Sequence, residues 1–279
     1  MGLFDVFKGG GGGLSKHVTR VANKRAQKHE RYESIQVLAS DGSDEALRAL
    51  LTRFTIRVDP SITDGEEKNA AFLGVVQNGE AALGPVRDFL DSSETLAWPL
   101  KILKELLGEE EVTTILLEVL SKMDTEYERD PQKKIDIIAS FEERKDPRIV
   151  EAVARFLEDM NETVRFHAAG AILAQDEADA AVDAMTKALL AEESVRVRMR
   201  MLDGYVERGW TLGDVKDEAS KKMPTGYTLG KKGEVRKSNC ATGPRHDARC
   251  GNYIPENGTR RACSQSGAPS PRLLTSTYD

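Results

Sequence analysis

The sequence predicts an all-α protein. It reads as a right-handed α-solenoid of about five stacked helical pairs, with a small C-terminal β-hairpin and a disordered tail beyond. Three observations lead there. Leu, Ala, Glu and Lys are plentiful in a chain that is only 6% aromatic, which favours helix over sheet. Apolar residues recur at three- and four-residue spacing. Short segments of one apolar pattern also return at a regular period, the mark of stacked helix pairs.

These patterns divide the chain into an N-terminal arm and capping helix (1–28), the helical array (29–212), a cap with the hairpin (213–237) and the tail (238–279). In the arm, MGLFDVFK places Leu3, Phe4 and Phe7 on one helical face, and five glycines follow, Gly9 to Gly13. The plain reading is an end whose apolar residues pack on the first helices. The alternative is a short amphipathic anchor, weak because it is short, for a membrane surface or a partner groove. Val6 stands where a myristoylation motif has Ser or Thr, so Gly2 is not read as a lipidation site. Next, LSKHVTRVANKRAQKHERYES (14–34) reads as one amphipathic helix, with Leu14, Val18 and Val21 inward and Lys16, Arg20, Lys24, Arg25 and Lys28 outward. It suits a cap for the open end of an array. Its basic face leaves nucleic acid or anionic lipid as the alternative contact.

The array rests on a count. RDFLD (87–91), EVLSK (118–122), ARFLE (154–158) and KALLA (187–191) carry matching apolar positions, and their leucines Leu90, Leu120, Leu157 and Leu190 are 30, 37 and 33 residues apart. LTRFT (51–55) precedes them by about one further period. Alternate helices fall between: EEKNAAFLGVV (66–76), TLAWPLKILKEL (95–106), KKIDIIASF (133–141), ETVRFHAAGAIL (162–173) and SVRVRMRML (194–202). In DPRIVEAVARFLEDMNETVRFHAAGAILA (146–174), Asp146-Pro147 starts a helix and Asn161 caps the next. Ala168, Ala169, Gly170 and Ala171 then permit a close helix approach. IRVDPSITDGEE (56–67) reads as a long turn in the first unit, and Trp98-Pro99 as a kink inside its helix. Trp210 reads as a core plug for the hairpin, which MPTGYTLGKKGEVRK (223–237) forms around a Gly-Lys-Lys-Gly turn. From Ser238 apolar periodicity stops and Gly, Pro, Ser, Thr, Asn and Arg take over, so the tail is expected to be disordered and looks appended.

Asp146-Pro147 opening one helix, with Val164-Arg165 and Ala168-Ala169 in the next, resembles a HEAT or HEAT-like repeat of the PBS-lyase type. Val195-Arg196 is taken as the same Val-Arg element one unit on. The resemblance covers roughly residues 30–210. It implies a protein-binding scaffold before it implies an enzyme, with a bilin-lyase-like activity as the alternative.

Charge narrows the partners. The whole chain carries −6, but residues 1–35 hold seven Lys/Arg against three Asp/Glu, while residues 36–237 hold 28 against 40. Such an acidic body repels phosphate backbones, so nucleic acid is not expected there; a protein or peptide with a basic face is. No apolar run approaches the ~20 residues of a membrane span, and no secretory signal is evident, so a cytoplasmic protein is expected.

No catalytic, cofactor-binding or metal residue is assigned. Cys240, His246, Cys250 and Cys263 are four ligand types without the tight Cys-x2–4-Cys knuckle of a structural zinc site. His29-Glu30 is one His-Glu pair where a HEAT-type di-iron centre uses several. His167 reads as a packed residue without a carboxylate partner on its face. No phosphate-binding glycine loop, nucleophile elbow or zinc-protease helix occurs.

Overall fold

The computed structural model describes residues 11–238. The first part of the arm (1–10) and the tail from Asn239 lie outside the described residues, and with them the four zinc-ligand types at 240, 246, 250 and 263. The described residues are mostly helical, with one antiparallel hairpin. The helices are α1 (Gly11–Val21), α2 (Lys28–Asp41), α3 (Asp44–Leu51), α4 (Ser61–Val76), α5 (Leu83–Ser92), α6 (Ala97–Leu106) and α7 (Glu109–Ser121). They continue as α8 (Gln132–Ser140), α9 (Arg148–Ala154), α10 (Glu162–Ala174), α11 (Val182–Ala191), α12 (Val195–Arg208) and α13 (Lys216–Ser220). Strands β1 (Tyr227–Leu229) and β2 (Val235–Lys237) follow, paired as Tyr227↔Lys237, Thr228↔Arg236 and Leu229↔Val235.

Local chemistry sets many of the ends. Ser43, Asn161 and Ser194 cap α3, α10 and α12 by accepting backbone N–H bonds, which satisfies donors that the helix itself leaves free. Contacts between helices then run mainly between near neighbours in sequence. Helix α2 packs on α4 and α4 on α6; α8 packs on α10 and α10 on α12. The intervening helices make a second series, α3 on α5 and α7 on α9. The five recurring segments lie at the ends of α3, α5, α7, α9 and α11. Leu51, Leu90, Leu120 and Leu157 are buried there, and Leu190 is half-buried. The hairpin packs on α12.

Four expectations are corrected. Residues 14–34 are two helices, because the Asn23 side chain accepts the Arg25 N–H in a turn and Glu30 accepts the Gln27 N–H to start α2. Lys24 and Arg25 therefore lie in a loop. The long turn at 56–67 is mostly helix, since α4 begins at Ser61 and Asp64 folds back to accept the Val58 N–H. Pro99 sits in the first turn of α6, where it breaks no helical hydrogen bond and needs no kink. Trp98 stacks on Phe54, with ring centroids 4.8 Å apart.

The fourth correction concerns register. Asn161 and Ser194 are equivalent caps, so Val164-Arg165 corresponds to Val197-Arg198 and not to Val195-Arg196. Val164 and Val197 are both fully buried, whereas Val195 is 55% exposed. Arg165 grips Glu192 with two hydrogen bonds, at 2.8 and 2.9 Å, and Arg198 donates to the Glu192 carbonyl. One unit earlier Lys134 meets Asp159 at 3.0 Å, both nearly fully buried. A cation in the first turn of each helix thus ties it to the end of a neighbouring helix.

Candidate functional site

A cavity lies between α2 and α4. Buried charges hold the two helices together at one end. Arg31 of α2 donates twice to Glu67 of α4, both bonds at 2.9 Å, and Glu67 is completely buried. Arg53, also fully buried, reaches Glu67 at 2.9 Å and Asp64 at 2.8 Å, and Lys68 meets Asp64 at 2.8 Å. Burial pushes the Asp64 carboxyl up, but hydrogen bonds from Lys68, Arg53 and the Val58 N–H outweigh it and hold the pKa at about 2. Buried charges survive only when paired in this way, so the network fixes how α2 sits on α4.

At the other end the helices touch. Gly74 leaves no room for a side chain: a Cβ there would come 2.7 Å from the Ala39 Cβ. Gln77 and Asn78 both donate to the Ala39 carbonyl, at 2.9 and 3.0 Å. Between these two ends the helices leave a groove of about 870 Å³. Tyr32 and Gln36 form one wall; Asn69, Ala70 and Leu73 form the other. Lys28 and Glu66, 2.7 Å apart, close the rim at the start of α2.

The groove presents the apolar side chains of Tyr32 and Leu73 beside the amides of Gln36, Asn69 and Gln77. Tyr32 is 43% exposed and Leu73 55%. Its one histidine, His29, is exposed, and the neighbouring Glu30 is spent on capping α2 and on Arg20. Among the described residues no three His, Cys, Asp or Glu side chains gather where a metal ion could sit. The basic face expected on the first helix is partly neutralised, because Arg20 pairs with Glu33 at 3.1 Å and Lys28 with Glu66.

His167 also departs from expectation. Its Nδ1 lies 2.7 Å from Glu142 Oε1, and Arg200 donates to Glu142 Oε2 at 2.8 Å. The carboxylate comes from the turn after α8, 25 residues away, and not from the histidine's own helix face. The trio links α10, α12 and the turn after α8, and Arg200 also lies over the Phe166 ring. Trp210 packs edge-on against Tyr205 and donates its indole N–H to Asp179 at 2.7 Å.

Of the groove residues, the sequence marks only Lys28 and His29, in other roles, and neither Tyr32 nor Leu73. The signal was present in AAFLGVV (70–76), where Leu73 adds an apolar residue outside the stripe of Ala71, Phe72 and Val75 that the core buries. Comparison with known proteins adds no family: no family model matches the chain, and neither a curated protein nor a solved structure matches it.

Proposed function

We propose that the chain is a non-catalytic α-solenoid of HEAT-like helical pairs that holds a protein or peptide partner in the α2–α4 groove. The neighbour-to-neighbour order of helix contacts and the repeated cap, valine and cation of α10 and α12 support the solenoid reading. The observation that carries the function is the groove itself. Two large apolar side chains, Tyr32 and Leu73, are about half exposed between helices locked at one end by buried ion pairs. A preformed groove of this kind loses little entropy when a partner fills it. The acidic body favours partners whose flanks are rich in Lys or Arg.

The test is to pan a peptide-display library against the full chain and, in parallel, against its Leu73→Asp variant. The expected peptides combine apolar anchors with basic flanks. They should bind the variant at least about tenfold more weakly, since a buried leucine-sized contact contributes ~1.5–3 kcal/mol. Peptides that bind both chains equally would place the binding surface elsewhere.

A further inference from the structure

The chain carries its own candidate ligand for this groove. Residues 1–10 lie outside the described structure, and they include Leu3, Phe4, Val6 and Phe7 followed by glycines. Their attachment point is fixed by α1. His17 Nδ1 lies 3.1 Å from Ser34 Oγ, and Arg20 pairs with Glu30 and Glu33, so α1 runs antiparallel to α2. With a rise of about 1.5 Å per residue, Gly11 is about 9 Å beyond His17 and level with Ser40. That is the Ala39–Gln77 end of the groove.

The arm is long enough. From Gly11 a nearly extended chain reaches about 13 Å by Phe7 and about 23 Å by Phe4, at ~3.3 Å per residue. Leu73 lies level with Gln36, about 6 Å along α2 from Ser40 and about 10 Å across it, or about 12 Å on the diagonal. Tyr32 is about 6 Å further on. Gly9 and Gly10 permit the chain to reverse direction without a side-chain clash. The half-exposed Val37 adds an apolar residue on the outward face of α2.

We propose that residues 3–7 of this chain occupy the α2–α4 groove of the same molecule, with Phe7 toward Leu73 and Phe4 toward Tyr32. The arm is then a tethered plug that an outside partner must displace. This rests on the groove reading above. A short tether gives an effective concentration of about 1 mM, so an arm with an intrinsic Kd of only ~0.1 mM keeps the groove closed about nine-tenths of the time. Partner affinity is weakened about tenfold by the same factor.

The test uses the full chain with Phe4 replaced by the photo-cross-linker p-benzoylphenylalanine. Irradiation followed by peptide mapping should give cross-links within one chain, to segments 32–39 and 66–77. A second substitution, Leu73→Asp, should remove them while the helical signal and thermal melt persist. Cross-links to other surfaces, cross-links only between two chains, or none at all would overturn the proposal. Failure here is separable from failure of the groove reading. If the arm is elsewhere, library peptides still bind the groove, and Phe4→Asp/Phe7→Asp leaves their affinity unchanged. If the arm is the plug, that double variant binds them about tenfold more tightly.

Discussion

Asp64 shows how a single residue ties chemistry to architecture. Its carboxylate is held by Arg53 and Lys68, and through Arg53 it joins the fully buried Glu67 and the Arg31 of the next helix. Folding lowers its pKa from 3.8 to about 2, so the folded protein binds the proton less readily than the unfolded chain does. The resulting stability is fully present above about pH 4 and is lost as the pH falls toward about 2. Asp64→Asn should therefore melt lower than wild type at neutral pH, yet lose less of its melting temperature between pH 4 and pH 2. Thermal melts across that window check it, and parallel acid limbs would refute it. Nothing in the sequence separates Arg53 and Glu67 from ordinary solvated charges. Their burial depends on where three elements converge, and that is a tertiary fact.

Among the elements, α4 and α10 use one device. Ala168, Ala169, Gly170 and Ala171 are all buried in α10, as their small size anticipated, and Gly74 does the same work in α4. Ala in place of Gly74 gains up to ~1 kcal/mol of helix propensity. It also sets two Cβ atoms 2.7 Å apart, and neither can rotate away. Overpacking of this sort costs on the order of 1–3 kcal/mol, so Gly74→Ala should lower the melting temperature. The paired change Ala39→Gly should restore much of the loss, because it removes the opposing methyl group. Urea denaturation of both variants measures it; a single variant as stable as wild type would mean that α2 and α4 separate freely. The start of α10 was legible in its cap residue, Asn161. Helix ends were misread at residues 14–34 and 56–67, where a side-chain turn and a folded-back aspartate decided the boundary.

For the molecule as a whole, charge is spread more widely than any contact. Residues 36–237 carry 28 Lys/Arg against 40 Asp/Glu, and this excess sets a field that reaches about a Debye length into solution. A Lys/Arg-rich peptide taken from the library should associate roughly tenfold more slowly when salt rises from about 50 to about 500 mM. Its dissociation rate, governed by the apolar anchors Tyr32 and Leu73, should change far less. Stopped-flow measurement separates the two. A salt effect confined to dissociation would show that the acidic body does not steer the encounter.

The sequence by itself determined the helices, the hairpin and the repeating order of segments. Those follow from apolar spacing, caps and turn residues, and each acts within a few positions of the chain. It also determined which face of most helices is buried, because a 3.6-residue period fixes a stripe. Only the tertiary structure decided the level at which one helix meets the next. That level gives His167 its Glu142, gives Arg31 and Arg53 a shared Glu67, and sets Val197-Arg198 as the partner of Val164-Arg165. It also leaves Tyr32 and Leu73 facing each other across open space, since the close approach of Ala39 to Gly74 pins the helices at one end and the ion pairs pin them at the other. Periodicity specifies a face, but the offset between two faces is set by side chains far apart in sequence.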